Sequence, residues 1–328
     1  MAKFHTTDLS KFSFLVTGGA GFIGSNIAEY LLSHNAKKVV VYDNLATGFE
    51  DNIRPFLSLP GFRFIKDDIC DLNACKNAFE GIDYVFHQAA LGSVPRSIEN
   101  PIATHNANAS GFLSVLVAAK NAGVKRIVYA SSSSVYGDIQ DSPKQEKKIG
   151  KPLSPYAVSK LVNEFYADIF SRTYNMEIIG LRYFNIFGPR QNPKGAYAAA
   201  IPLFIDGLLN NTPVYINSDG EQSRDFTYVE NAVQGNIKAM FCTDKKALGS
   251  VFNIALGDSI SVNQLFNTLK KITGASLSPA YRDERKGDVK NSMADISKAA
   301  HILGYSPSVN VEDGLRQTVE WFNNYFRK

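Results

Sequence analysis

An α/β fold, a doubly wound parallel sheet followed by a smaller mixed α/β body, is predicted by three features of the sequence. Short, continuously apolar runs recur through the first half: "FSFLVTG" (12–18), "KVVVYDN" (38–44), "FRFIKDD" (62–68), "DYVFHQAA" (83–90) and "RIVYASSS" (126–133). Strands apolar on both faces belong in a sheet that helices cover on both sides. Helical stretches alternate with them, "SNIAEYLLSHN" (25–35) and "GFLSVLVAAKNAG" (111–123) among them, as parallel crossovers require. A further helix starts near Pro155, and "EIIGLRYFNIFG" (177–188) reads as the next strand and its exit. Beyond it, Pro189, Pro193, Pro202 and Pro213 cut the chain into short pieces. We therefore expect one body over residues 1–185 and a second over 186–328. The strand-to-helix pattern "FTYVENAVQGNIKAM" begins a stretch, 226–255, expected to return to the first body.

Composition excludes several functional classes. The 328 residues are 45% hydrophobic and 20% charged, with a net charge of +4, an ordinary globular balance. The densest basic run, "EKKIGK" (146–151), reads as a solvated loop, so no nucleic-acid partner is expected. Three cysteines, Cys70, Cys75 and Cys242, are too few for a disulfide framework and suit a reducing, cytoplasmic setting. "MAKFHTTDLSKFSFLV" does not read as a signal peptide, and no apolar window is long enough to cross a membrane. The five histidines show no metal-ligand spacing, so no metal is expected, and His87 reads as a packed strand-end residue.

Between the first strand and first helix, "TGGAGFIG" places Gly18, Gly21 and Gly24. Glycines there let the backbone turn sharply and approach a pyrophosphate, which the helix N-terminus then meets with free N–H groups. Asp43, at the end of the second strand, is placed to accept both hydroxyls of an adenine ribose and to repel a 2′-phosphate, favouring NAD over NADP; "DN" is also ordinary turn chemistry. Asp68 follows the third strand, the usual place to touch the adenine. The small residues of "HQAALGSV" (87–94) leave room for a cofactor ribose at the carboxyl edge of the sheet.

"SSSS" (131–134) would be read as a linker by composition alone. It follows a buried strand and so emerges at the carboxyl edge, where ligands bind. Tyr156 and Lys160 are four apart and share a helix face. An ammonium near a phenol lowers its pKa, which would make Tyr156 a general base with a serine hydroxyl on the same substrate oxygen.

The glycine turn, Asp43, the serines and the Tyr156/Lys160 pair together resemble the extended short-chain dehydrogenase/reductase family, and more narrowly its nucleotide-sugar 4-epimerases. The match runs nearly end to end through "TGGAGFIG", "YDNLATG", "SSSSVYGD", "SPYAVSK", "RYFNIFGPRQ", "RDFTYV" and "ERKGDVKNSMADISKA". The resemblance implies a Rossmann domain holding NAD and a smaller C-terminal domain gripping a UDP-sugar. It implies cofactor contacts at Phe22, Ile23, Asp43, Asn44, Asp68, Ile69, Ala89, Ala90, Asn108, Tyr156, Lys160 and Tyr183. Ser133 aligns with the family's catalytic Ser/Thr, with Ser132 as a second contact. Asn185 matches a substrate contact, Arg224 and Arg285 match the arginines on the UDP pyrophosphate, and Asp288 matches a contact to the uridine ribose. Arg224 and Arg285 also read as surface ion pairs with Asp225 and Glu284.

The implied reaction removes a proton and a hydride at C4 of the sugar and returns the hydride to the other face. Dehydratases of the family carry acids after the catalytic Ser/Thr; Ser134 and Val135 stand there instead. Ser292, four residues after Asp288, is the position where a small side chain suits a 2-N-acetyl group. Gly92, Ser93, Gln191 and Ala199 match pocket positions of the N-acetyl-tolerant enzymes. UDP-GlcNAc/UDP-GalNAc 4-epimerisation is therefore expected, with weaker action on the non-acetylated pair. UDP-glucuronate epimerisation or decarboxylation is the alternative, in which Arg96 would serve a C6 carboxylate, and a non-catalytic NAD sensor is a minor one. The resemblance also implies a homodimer, built through the apolar run "LVNEFYADIF" (161–170), which reads equally as core.

Overall fold

The computed structural model describes residues 1–193, 198–283 and 291–326. The first half runs β1 (Ser13–Thr17), α1 (Phe22–Ser33), β2 (Lys38–Tyr42), β3 (Phe62–Ile65), α2 (Leu72–Ala78), β4 (Tyr84–His87), α3 (Val94–Glu99), α4 (Pro101–His105), α5 (Gly111–Ala122), β5 (Arg126–Ser132), α6 (Pro155–Tyr174) and β6 (Ile178–Tyr183). The second runs β7 (Ile186–Phe187), α7 (Ala200–Asn210), β8 (Tyr215–Asn217), β9 (Ser223–Arg224), β10 (Thr227–Tyr228), α8 (Val229–Met240), β11 (Val251–Ile254), β12 (Ile260–Ser261), α9 (Val262–Thr273), β13 (Ala280–Arg282), β14 (Asn291–Ser292), α10 (Ser297–Leu303) and α11 (Val311–Phe326).

Seven parallel strands form the main sheet in the order β11-β6-β5-β4-β1-β2-β3. The fold is the Rossmann-like α/β class. Alternate side chains feed two cores. Phe14, Val16, Val39 and Val41 meet α1 and α8 on one face, while Leu15, Val40, Val85 and Ile127 meet α2, α5 and α6 on the other. This double burial is why the strands read as unbroken apolar runs. β11 closes one edge of the sheet, with Val251 opposite Gly180 and Ile254 opposite Tyr183.

The stretch "EIIGLRYFNIFG" is not one strand. Asn185, with φ of +36°, turns the chain out of the sheet between β6 and β7. A third core then forms around Phe204, Ile216, Leu265, Leu315 and Phe322. The strand order reverses between β1 and β4, and the crevice at such a point is where open α/β sheets bind ligands. No described helix is long and apolar enough to cross a membrane.

Candidate active site

The glycines act through space and backbone angle. Gly18 has φ of +66°, and a Cβ on it would lie 2.6 Å from the Ala89 nitrogen. A Cβ on Gly24 would lie 2.2 Å from the Gly18 carbonyl oxygen. Glycine alone fits both places. Gly21 is the N-cap of α1 and supplies no side-chain cap, so the helix's first N–H groups are left for a ligand. Gly18, Gly21, Phe22, Ile23 and Gly24 all line a cavity of about 690 Å³.

Asp43, Asn44, Asp68 and Ile69 continue the wall of this cavity. Asp43 is buried and accepts the N–H of Leu45 at 2.8 Å and of Ala20 at 3.0 Å. Burial pushes its carboxyl upward against those N–H groups. Asp68 takes the Asn44 amide and the Cys70 N–H, both at 2.8 Å; burial opposes its charge, but these bonds hold it below the usual carboxylate range. The uncapped helix start, the glycine cradle and a carboxylate at the second strand's end fit a dinucleotide.

Ala89, Ala90, Gly92 and Ser93 form the opposite wall. Asn108, expected to touch the cofactor, does not line the cavity. Its amide is spent on the Leu91 backbone (2.8 and 3.2 Å) and on Ser159 (3.0 Å), so it fixes the wall from behind. Tyr183 does line it, with its hydroxyl tied to Gln88 and Asn236. His87 is buried on Thr17 at 2.8 Å, and burial pulls it down to about 3.

At the end of β5, Ser131 to Ser134 line the cavity opposite Tyr156 and Lys160. Ser154 caps α6 by accepting the Ala157 N–H, and Pro155 opens its first turn, which places Tyr156 at the helix's cavity end. The Lys160 ammonium donates to the Ala130 carbonyl at 2.8 Å, and burial lowers it to about 8. One sequence expectation needs correction. Burial raises the Tyr156 phenol, and the hydroxyl acting against that rise is Ser132's, not Ser133's. The reason is local: the strand ends at Ser132, and Ser133 begins a 3-10 turn. Ser132 also hydrogen-bonds the Ser134 hydroxyl at 2.6 Å.

A second cavity, of about 310 Å³, adjoins the first, and Asn185, Ile186 and Gln191 line both. Ala199 and Arg224 line the second, on an apolar floor that includes Phe204, Phe226 and Val262. Ser292 lines neither; it sits in β14 opposite Arg224 of β9. Arg285 and Asp288 lie outside the described residues. Among the described residues no cluster could hold a metal ion.

Residues 14–255 match the model of the NAD dependent epimerase/dehydratase family. The chain belongs to that family, among its UDP-sugar 4-epimerases. A UDP-N-acetylglucosamine 4-epimerase from Methanobrevibacter ruminantium, solved with UDP-N-acetylmuramic acid, superposes with a TM-score of 0.90 at 39% identity over 96% of this chain and 99% of that one. UDP-glucose 4-epimerase from Thermotoga maritima, solved with UDP-glucose, does so at 0.90 and 38% over the same shares. UDP-glucuronate 4-epimerase of Thermodesulfobacterium geofontis is 35% identical over 94% of this chain and 95% of its own. The cofactor of the family is NAD, which the cradle suits.

Within this epimerase fold, sequence reasoning missed Tyr215, Asn217, Gln222 and Arg282 on the second cavity. Tyr215 and Asn217 come from β8 and Arg282 from β13, which pair in parallel although 65 residues apart, as in Arg282 to Asn217 at 2.6 Å. No local motif announces such a pairing.

Proposed function

We propose that the enzyme interconverts UDP-GlcNAc and UDP-GalNAc by inverting C4, and acts more weakly on UDP-glucose and UDP-galactose. The carrying observation is the pair of adjoining cavities: the larger joins a dinucleotide cradle to Ser132, Tyr156 and Lys160, and the smaller leads from it to Arg224. A hexose against Tyr156 with its diphosphate toward Arg224 fits this shape, because guanidinium forks bind phosphate oxygens well. In this reading residues 1–185 with 226–255 hold NAD, and the remainder holds UDP, with Arg285 and Asp288 as further contacts.

Bound NAD supplies the hydride acceptor and donor at C4, and the positive charge of its ring favours the Tyr156 phenolate. Asp43 takes the adenine ribose, and the first turn of α1 takes the pyrophosphate. Tyr156 removes the proton of the sugar 4-OH and later returns it. Ser132 holds the same oxygen, and the Lys160 ammonium supports the phenolate.

Room beside the sugar supports the N-acetylated substrates. Gly92 borders the larger cavity, and a Cβ there would meet nothing within 4 Å. Ser93 and Ala199 are small as well, and Asn185 and Gln191 offer polar contacts. A uronic acid is less well served, since Lys160 is the one cation among the described residues lining that cavity and Arg96 is not among them. The test is incubation without added NAD with each of the four UDP-hexoses and with UDP-glucuronate. UDP-GalNAc formed from UDP-GlcNAc is expected; turnover confined to UDP-glucuronate, or CO₂ release from it, overturns the reading. We further propose a homodimer. Val158, Phe165 and Ile169 share one exposed face of α6 near exposed Ile98 and Ile102, and light scattering at twice the chain mass is expected.

A further inference from the structure

Asp225 follows the arginine of the second cavity in the chain, and beside Arg224 it reads as half of a surface ion pair. Its carboxylate is instead completely buried. One oxygen accepts the Leu256 N–H at 2.9 Å; the other accepts the N–H of Gly257 at 3.1 Å and of Ala294 at 3.2 Å. All three donors are backbone groups, so dipoles and not a counter-charge hold this anion. Leu256 and Gly257 form the exit from β11, at the edge of the main sheet, and Ala294 follows β14. The Asp225 backbone donates to the Ser292 carbonyl at 2.8 Å and accepts the Asn185 amide at 3.0 Å. Three distant segments therefore converge on one residue, and one of them carries Asn185, which lines both cavities.

Resting on the second cavity as the nucleotide's, we propose that Asp225 is a positioning residue for substrate binding, whose carboxylate sets the register in which β9, paired with β14, presents Arg224 to the UDP-sugar. Arg224 and Ser292 are direct partners across those strands. The carboxylate locks this pair to the turn after β11, and so to the sheet that carries the chemistry.

One property makes the role testable. Asparagine has the same shape but offers an NH₂ donor where one oxygen accepts, so at least one N–H loses its partner. Burial pushes the Asp225 carboxyl up to about 6; the N–H groups of Ala294, Leu256 and Gly257 pull it down and Asp258 pushes it further up. The other ionisable groups on the packed segments are Arg224, Asp295, Lys144, whose ammonium sits on the Ile139 carbonyl, and Tyr305, whose hydroxyl donates to Ala255. A buried site that binds its proton more tightly than an exposed carboxyl does is not released as pH falls.

The experiment titrates UDP-glucose into NAD-loaded protein carrying Tyr156→Phe, so that turnover is negligible during the titration. The diphosphate is esterified at both ends and does not titrate between pH 5 and 8. At pH 7.5, adding Asp225→Asn should weaken binding by about tenfold, as an unpartnered buried N–H would, with NAD content and circular dichroism unchanged. Affinity within twofold in Asp225→Asn overturns the proposal. Should Asp225→Asn fail to fold, Asp225→Glu, which keeps both acceptor oxygens but displaces them by one methylene, is judged by the same criterion. A parent that binds no UDP-glucose at pH 7.5 overturns the nucleotide reading of the cavity, and this proposal with it.

Discussion

In the proposed reaction Tyr156 and Ser132 share the substrate's 4-oxygen, and each can be removed by one atom. Tyr156→Phe should lower kcat by about 10³-fold, as loss of a general base does, while purified protein keeps its NAD by absorbance. Ser132→Ala should cost on the order of 10²-fold in kcat, whereas Ser133→Ala should stay within about threefold because it is the Ser132 hydroxyl that acts on Tyr156. Equal losses at the two serines would contradict the geometry. A pH profile reads the lysine. A positive charge favours the phenolate, so Lys160→Met should move the acid limb of kcat to higher pH, by about one unit or more. An unmoved limb would exclude an electrostatic role for Lys160. Four serines in a row carry no internal mark of which one faces the cavity. That choice is made by where β5 stops, a property of the register with β4 and β6 and not of the run itself.

At the scale of elements, β5, β6 and α6 are joined by a buried ion pair. Arg182 of β6 gives Glu164 of α6 two bonds, at 2.7 and 2.9 Å, and Glu164 also accepts the Ser131 hydroxyl at 2.6 Å. The two side chains are 3% and 9% exposed, so solvent does little to soften the loss of one partner. Glu164→Ala should cost about 3–5 kcal/mol in urea denaturation, because Arg182 is left buried and unpaired; a loss below about 1 kcal/mol, the ceiling for exposed pairs, would contradict it. Glu164 lies four residues beyond Lys160 and eight beyond Tyr156, so the pair also fixes the cavity-lining face of α6 against the serine strand. The elements themselves were legible. β1, β2, β4 and β5 announce themselves by apolar runs, and α1 by its glycines, because both signals are local. Asp225 was misread, because a buried acid and an exposed one look alike beside an arginine. β8, β9, β13 and β14 were not foreseen as strands, because each has two or three residues and is defined by a partner far along the chain.

For the whole molecule, the two cores are not laid end to end along the chain. Residues of α8, β11 and α10 pack in the core of the main sheet, while α9 and α11 build the third core. The chain passes back and forth between them, and Phe22, at the start of α1, packs against the third core. Urea should therefore unfold the protein in one transition, with tyrosine fluorescence and far-ultraviolet circular dichroism coincident. Two separated transitions would show that the cores are independent.

The edge strand β11 has a consequence for biosynthesis. α8 and β11 supply Ala232, Val233, Ile237, Met240, Phe252 and Ile254 to the core under β1 and β4. Until those residues leave the ribosome, the emerging first body shows a bare apolar face and an unpaired β6 edge. Translation at roughly 5–20 residues per second makes this exposure last seconds. A ribosome stalled before α8 would release a chain primed for chaperone capture or clumping, and codon choice over residues 186–254 would set how long each new molecule runs that risk.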